Sequence, residues 1–270
     1  MNFRLFILAW VLVPTGCGAL PNVAEEPSAS ANAIIGGVSD SADDSVVTLF
    51  AIAASGNSGT LCTASVIAPT VLLTAAHCVL PGEVPIDARF RAYQGDDFTT
   101  HPNRFIAVKE THFDPEFSID DLGAGHDVAV AILAEAISAP VLQINRVPLT
   151  ATVVGKSVRL VGYGASAGNP LTGTGAKRQV STVVDAYDDL LLNVGKPDAV
   201  TCNGDSGGPA FLRMDGPSSR EVIVGIASFG SVHCGGSAYH TRVDVYASFL
   251  DGWVEHATTG ADPLPPANGQ

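Results

Sequence analysis

Three residues of the types that build a nucleophilic hydrolase site occur along this chain in the order histidine, aspartate, serine. They are His77, Asp127 and Ser206, and each lies in a short local motif. A serine hydroxyl is a poor nucleophile at neutral pH unless an imidazole takes its proton and a carboxylate holds that imidazole in one tautomer. This order is one of three unrelated chain orders that build such a triad. The sequence therefore predicts a serine nucleophile activated by His77 and oriented by Asp127.

The neighbours of Ser206 and His77 fit this chemistry. Gly204, two positions before Ser206, allows the backbone to turn its N–H groups toward a substrate carbonyl. An imidazole with its ordinary pKa of about 6.5 can accept a proton and later return it. We interpret the other six histidines as surface or structural residues. The side chain of His126 is expected to point away from that of Asp127, its neighbour in a strand.

Five short segments resemble the motifs of the chymotrypsin/trypsin family of serine endopeptidases. In chain order they are IIGG at 34–37, LTAAHC at 73–78, HDVA at 126–129, NGDSGGP at 203–209 and SFG at 228–230. The resemblance spans roughly residues 34–257 and departs from the family pattern at Phe229, where the family usually has tryptophan. From these motifs we expect a bacterial, exported member of that family.

The resemblance implies an all-β fold of two antiparallel six-stranded β-barrels with a C-terminal α-helix. The first barrel would cover about residues 34–140 and the second about 150–257, together forming a protease domain at 34–257 with the active site between them. The short apolar runs that alternate with turn residues from position 34 onward agree with this fold. The helix, expected to pack on the second barrel, is predicted from the helical spacing of Val245, Tyr246, Phe249, Leu250 and Trp253.

The same resemblance implies how the site is completed. The backbone N–H groups of Gly204 and Ser206 would form the oxyanion hole, where the loss of one donor typically adds about 3–4 kcal/mol to the barrier. Cleavage after Ala33 would free the α-amine of Ile34, and this ammonium would pair with the buried carboxylate of Asp205. The sequence therefore predicts a zymogen that proteolysis switches on.

The five cysteines fit an exported protein, in which cysteines usually pair. The family pattern implies the disulfides Cys62–Cys78, beside the histidine motif, and Cys202–Cys234, beside the specificity pocket. Each loop closure contributes about 3 kcal/mol in the chain-entropy model. Cys17 is left over. We expect no metal site, because the cysteines are not in paired C-x-x-C form.

The resemblance also locates the pocket for the side chain that precedes the scissile bond. Six positions before Ser206 is Val200, where trypsin-like members have an aspartate that binds Lys or Arg. Valine cannot pair with a cation, so we expect a preference for small to medium apolar side chains. A shifted loop would bring Asp198 there instead. The predicted substrate-binding residues are Val200, Thr201, Ser228, Phe229, Gly230 and Ala238.

The N-terminal segment is typical of an export signal. Arg4 precedes an apolar run at 5–13 that is too short to span a bilayer, and small residues follow it. Two interpretations stay open. A signal at 1–19 would release a secreted or periplasmic protein, whereas a lipoprotein signal at 1–16 would leave Cys17 to be lipidated at a bacterial membrane.

The other terminal segments are predicted to be a propeptide or spacer at 20–33 and a disordered tail at 258–270. The net charge of −13 argues against nucleic acid as a partner. We expect a monomer that acts on protein or peptide substrates and meets a membrane only through a lipid anchor at Cys17. No cofactor is expected; Asp96 and Asp97 lie near the family's calcium loop, but a solvated turn is favoured.

Two other functions compete with an endopeptidase. A non-catalytic serine-protease-like binding module usually lacks a member of the triad, and this chain lacks none. An esterase shares the triad chemistry, but the context of Ser206 is not expected to be the nucleophile elbow of that class.

Overall fold

The computed structural model describes residues 34–101, 104–214 and 220–263. The predicted export signal at 1–19, Cys17 and the spacer at 20–33 lie outside the described residues. Within the described part of the chain, no helix is both long and apolar enough to cross a membrane.

Fifteen strands and one α-helix make up the described fold. The strands are β1 (Val38–Ser39), β2 (Val46–Ile52), β3 (Gly59–Ala68), β4 (Val71–Thr74), β5 (Arg89–Tyr93), β6 (Phe105–Phe113), β7 (Ala129–Leu133), β8 (Ser157–Gly162), β9 (Ala167–Gly168), β10 (Leu171–Thr172), β11 (Arg178–Tyr187), β12 (Leu191–Val194), β13 (Pro209–Arg213), β14 (Glu221–Gly230) and β15 (Ala238–Arg242). The α-helix, α1, spans Ala247–Thr259, and 3₁₀ turns lie at Ala76–Cys78, Ile119–Ala124 and Ala151–Val153.

Six antiparallel strands close the first barrel in the order β2-β3-β4-β7-β6-β5. In the pairing of β4 with β7, Leu73 lies opposite Val130 and Thr74 opposite Ala129. Every residue of these two strands is buried. Because one face fills the barrel and the other is covered, they form continuous apolar runs rather than alternating ones.

Six further strands form the second barrel in the order β8-β11-β12-β15-β14-β13, which closes because β8 pairs with both β11 and β13. The strand β1 adds to β11, with Val38 opposite Gln179, so the predicted first-barrel segment contributes one strand to the second sheet. A register shift interrupts β14 between Ala227 and Phe229. The predicted fold of two six-stranded antiparallel barrels with a C-terminal helix is confirmed.

The helix α1 packs on the first barrel, against β4 and β7, and not on the second barrel as predicted. Its buried residue Leu250 belongs to an apolar cluster that includes Leu73 and Val130 of those strands. Val245 precedes the helix and is exposed, so it does not belong to the packed face. The helix ends at Thr259, inside the predicted tail, with Gly260 in the left-handed conformation as its cap.

Candidate active site

His77 and Asp127 are held side by side by paired elements of the first barrel. His77 lies in the 3₁₀ turn after β4, and Asp127 lies just before β7, the partner strand of β4. His77 Nδ1 is 2.7 Å from Asp127 Oδ2, and the backbone N–H of His77 donates to Asp127 Oδ1 at 3.0 Å. Since a carboxylate only accepts, the shared proton is on Nδ1 and Nε2 is left as the base.

The Asp127 carboxylate is fully buried and has three donors around it. Burial opposes ionisation, but the hydrogen bonds from the side chains of His77 and Ser228 and the backbone of His77 outweigh it and hold the pKa of Asp127 below its ordinary value. Ser228 Oγ donates to Asp127 Oδ2 at 2.5 Å. Ser228 was predicted only as a substrate-binding residue, and the structure shows that it also fixes the carboxylate.

His126 is not the strand neighbour that the sequence predicted. Its φ is +66°, and β7 begins only at Ala129. The backbone N–H of His126 donates to Tyr246 Oη at 3.0 Å, and its Nδ1 is 3.3 Å from Asp114 Oδ2. The ring of His126 does point away from the triad, but the cause is the turn at this residue and not the alternation of side chains along a strand.

Ser206 lies in a tight loop that leads into β13. Gly204 has a φ of +98°, and a Cβ there would lie 2.9 Å from another backbone carbon, so the position requires glycine. The N–H groups of Asp205, Gly207 and Gly208 donate to backbone carbonyls. Those of Gly204 and Ser206 donate to nothing within the described residues. They are left available for a substrate oxyanion.

Thr63, on β3 of the first barrel, holds the nucleophile loop of the second. Its N–H donates to the Ser206 carbonyl at 2.8 Å, and its hydroxyl donates to the Gly204 carbonyl at 2.9 Å. Cys78 Sγ lies 3.8 Å from the same Ser206 oxygen. The loop is therefore attached to the barrel that carries His77. No sequence motif indicated Thr63, since its partner Gly204 is 141 positions away.

Both predicted disulfides are confirmed, with Cα–Cα distances of 6.1 Å for Cys62–Cys78 and 5.0 Å for Cys202–Cys234. The sulfurs of the first lie close to His77, but oxidised cysteines have no thiolate with which to bind a metal. The Asp97 carboxylate accepts hydrogen bonds from the Thr99 N–H and hydroxyl. These local bonds form a turn at Asp97.

Asp205, beside the nucleophile, is buried without a cation. Its Oδ1 accepts the N–H of Gly164, and its Oδ2 accepts the N–H of Cys202, both at 2.8 Å. Burial outweighs these bonds and raises the pKa of Asp205 to about 7. Within the described residues no ion pair reaches this carboxylate. A cation placed next to it would bring its pKa back down.

The segment that follows the predicted cleavage point is docked on the second barrel. The Ile34 side chain is fully buried in that barrel's core. The N–H of Ile35 donates to the Val200 carbonyl at 3.0 Å. The chain therefore brings Ile34 to the same barrel as Asp205.

A cavity of about 220 Å³ opens beside Ser206. Four predicted substrate-binding residues line it: Thr201, Ser228, Phe229 and Gly230. Sequence reasoning missed other lining residues, which are Asn203, Ala227, Ser231 and Val232. Asn203 belongs to the serine motif but was not assigned to the pocket. Ala227, Ser231 and Val232 flank the motif at 228–230 and are not part of it.

Val200 and Ala238 lie behind this cavity and do not line it. Val200 is buried, whereas Asp198 is exposed, so the charge that a shifted loop would have supplied is outside the pocket. Ala238 lies opposite Gly230 on the paired strand, and its Cβ would be 3.2 Å from a Cβ at Gly230. Any larger residue at either position would narrow the cavity.

A buried histidine behind the cavity was not singled out by the sequence. His240 lies opposite the lining residue Ala227 and is completely buried. Within the described residues neither ring nitrogen has a partner at hydrogen-bonding geometry, although the backbone of Ala238 is near enough to favour the protonated ring. Burial lowers the pKa of His240 to about 4, so its ring is uncharged at neutral pH.

The two closed six-stranded barrels define a chymotrypsin-like fold, and comparison with known families agrees. A family model described as Trypsin matches residues 34–250. The chain belongs to the trypsin family of serine proteases.

Individual relatives are distant. The chain is similar to chymotrypsin of Phaedon cochleariae, with 24% identity over 75% of each chain. It is similar to brachyurin of Leptuca pugilator, with 27% identity over 75% of this chain and 89% of that protein. It is also 24% identical to the CLIP domain-containing serine protease B4 of Anopheles gambiae, over 74% of this chain. It covers only 62% of that protein's length, and 62% of phenoloxidase-activating factor 3 of Holotrichia diomphalia.

Proposed function

We propose that the protein is a serine endopeptidase that cleaves peptide bonds through an acyl-enzyme. The observation that carries this proposal is the hydrogen-bonded His77–Asp127 pair on the barrel to which Thr63 attaches the nucleophile loop, whose N–H groups at Gly204 and Ser206 have no acceptor within the described residues. His77 takes the Ser206 proton during attack on the substrate carbonyl, the two N–H groups stabilise the oxyanion, and His77 returns the proton to the leaving amine. Asp127 stabilises the imidazolium that forms.

A fluorophosphonate probe tests this function. The protein cleaved between Ala33 and Ile34 should be labelled covalently and should hydrolyse peptides, while Ser206→Ala should do neither but fold normally. Loss of labelling should be similar for His77→Ala, because the residues act as a unit. Absence of labelling in the cleaved, folded protein would support the alternative, a non-catalytic binding module.

An esterase would be labelled too, so peptide hydrolysis distinguishes it. Residues 204–208 match Gly-x-Ser-x-Gly as letters. In the esterase elbow, however, the serine lies between a strand and a helix, whereas here the loop enters strand β13 at Pro209. Turnover of esters without any cleavage of peptides would contradict the endopeptidase proposal.

The activation step that we propose is cleavage after Ala33. Ile34 is buried in the second barrel with a φ of +52°, which is unfavourable for a β-branched residue. A free α-amine would remove that constraint and supply the cation that Asp205 lacks. Full activity of an intact, uncleaved precursor would contradict this. Because Ala33 is itself small and apolar, added active enzyme should convert a Ser206→Ala precursor.

We also propose a preference for apolar residues before the scissile bond, in the order Ala, Val, Leu or Met ahead of Lys and Arg. None of the described residues that line the cavity is charged. His240 is uncharged, and Asp198 is exposed outside the lining. A buried, unpaired Lys or Arg costs several kcal/mol, which exceeds the roughly 1–3 kcal/mol of one methylene. A peptide library whose cleavage is dominated by Arg or Lys would contradict the assignment of Val200.

Export is the remaining part of the proposal, supported by the two disulfides. Mass spectrometry of the protein isolated from expressing cells distinguishes its two forms. A soluble chain starting near residue 20 indicates secretion or periplasmic release, and a diacylglyceryl mass on Cys17 indicates a lipid anchor. Sedimentation of the soluble form should give the mass of a monomer.

A further inference from the structure

Two histidines, a glutamate and a tryptophan join β6 of the first barrel to α1. We call the set Glu110, His112, Trp253 and His256 the helix-anchor cluster. Glu110 and His112 are two positions apart on a strand, and Trp253 and His256 three apart on a helix, so each pair shares a face. The ring of His112 stacks on that of Trp253, with centroids 3.5 Å apart and planes 16° apart. None of these residues takes part in the triad or the pocket.

Both imidazoles of the cluster turn Nε2 toward one carboxylate oxygen. Oε2 of Glu110 lies 3.1 Å from His112 Nε2 and 3.3 Å from His256 Nε2. The other oxygen, Oε1, lies 2.6 Å from Lys109 Nζ. Each of the two imidazole nitrogens therefore lies near the same carboxylate oxygen, while Lys109 pairs with the other oxygen.

The tautomer of His256 follows from its other nitrogen. His256 Nδ1 is 2.8 Å from the Ala261 carbonyl oxygen, which can only accept, so Nδ1 carries a proton and donates it. In the neutral ring, Nε2 then has a lone pair that faces the lone pairs of Glu110. This contact is unfavourable unless a cation lies between the two groups. An imidazole that donates one N–H to a carbonyl and turns its other nitrogen to a cation is the usual arrangement of a metal ligand.

We propose that the helix-anchor cluster binds a zinc ion through Glu110 Oε2, His112 Nε2 and His256 Nε2. Imidazole nitrogens with one carboxylate oxygen form a donor set that zinc accepts, with water as a fourth ligand. The three ligand atoms do not all lie within 4.8 Å of one another. The two rings must therefore turn toward each other, which is feasible because both are partly exposed. The ion would tie α1 to β6.

Calorimetric titration with Zn²⁺ of the full chain carrying Ser206→Ala, freed of metal by a chelator, tests the proposal. One ion per chain is expected, with a change in Trp253 fluorescence because His112 stacks on that ring. His112→Gln and His256→Gln should each weaken binding on the order of 100-fold and abolish the zinc-dependent rise in unfolding temperature. His101→Gln, an exposed histidine outside the cluster, should change nothing.

Three outcomes would overturn the proposal. One is binding of undiminished strength in both cluster variants. Another is binding lost only in His77→Gln, which would place the ion on the triad histidine. The third is the absence of zinc binding to a folded chain, which would leave a proton as the cation between His256 and Glu110. Since the chain tested carries Ser206→Ala, failure of the endopeptidase proposal would not affect the result.

Discussion

Asp127 and Asp205 are both fully buried, yet their surroundings shift their pKa values in opposite directions. Asp127 receives hydrogen bonds from His77 and Ser228 and stays ionised. Asp205 receives only backbone N–H groups, and its pKa rises to about 7. The first carboxylate is therefore ready to orient the base, while burial leaves the second only partly ionised at neutral pH until a cation joins it.

Replacing Ser228 by alanine should slow catalysis. The change removes the donor 2.5 Å from Asp127 Oδ2 and leaves the buried carboxylate with fewer hydrogen bonds. A hydrogen bond to a charged group contributes about 1.5–3 kcal/mol, so we expect kcat to fall about 10- to 100-fold. Ser228→Thr should restore most of it. Steady-state kinetics on one peptide checks this, and an unchanged kcat would show that His77 alone orients Asp127.

The Asp205 pKa makes the precursor's stability depend on pH. An acid whose folded pKa is raised keeps its proton where the unfolded chain loses it, so the free energy of unfolding falls as pH rises from about 4 to about 7. The total loss is on the order of 4 kcal/mol. Urea unfolding of a Ser206→Ala precursor should show this loss, and Asp205→Asn should remove it.

Cleavage after Ala33 should also remove this fall in the free energy of unfolding with rising pH, because the Ile34 ammonium lowers the pKa of Asp205. Asp198→Asn, at an exposed position, is the matched control and should retain the pH dependence. Equal pH dependence of the Asp205→Asn precursor and the parent would contradict the assignment to Asp205.

At the scale of elements, β3 positions the nucleophile loop through Thr63. Thr63→Val keeps the shape and the backbone bond to Ser206, but it leaves the Gly204 carbonyl without its donor and the buried Tyr163 N–H without its acceptor. We expect a loss of about 1–3 kcal/mol in stability and a larger fall in kcat than rise in KM, because the oxyanion donors lose alignment. Thr60→Val, on the same strand, is the control. Comparable kinetics for the two variants would exclude this role for Thr63.

The elements show where sequence reasoning worked. Continuous apolar runs favoured strands at β4 and β7, since these strands are covered on both faces. The resemblance to the family implied both disulfides, which the structure contains. The prediction that α1 packs on the second barrel was wrong, because helical spacing shows which face of a helix is buried but not which element covers that face. Contacts between distant residues, such as His256 with Glu110 146 positions away, have no local pattern to reveal them.

At the scale of the whole molecule, an ion-pair network ties the segment that leads into the first barrel to the second barrel. Arg159, on β8, pairs with Asp43, which precedes β2, and with Glu221, on β14. Its guanidinium also lies 4.8 Å from the centroid of the Phe211 ring. Burial opposes the ionisation of Asp43, but the hydrogen bond from Arg159 outweighs it and lowers the pKa of Asp43. Because the triad is divided between the barrels, this connection supports the geometry of the site.

Arg159→Gln should therefore reduce both stability and activity. Removing the cation leaves two half-buried carboxylates unpaired, which should cost about 2 kcal/mol, less than for a fully buried pair because water reaches the network. The folded-state pKa of Asp43 is lowered, so its contribution is present above about pH 4 and is lost as pH falls. Urea unfolding should show the deficit at pH 7, and the deficit should shrink as the pH falls below about 4. Arg146→Gln, which breaks the exposed pair with Asp251, should cost under about 0.5 kcal/mol at either pH. If the loss of stability in Arg159→Gln is no larger than in Arg146→Gln, or if it does not shrink in acid, the network does not hold the barrels together.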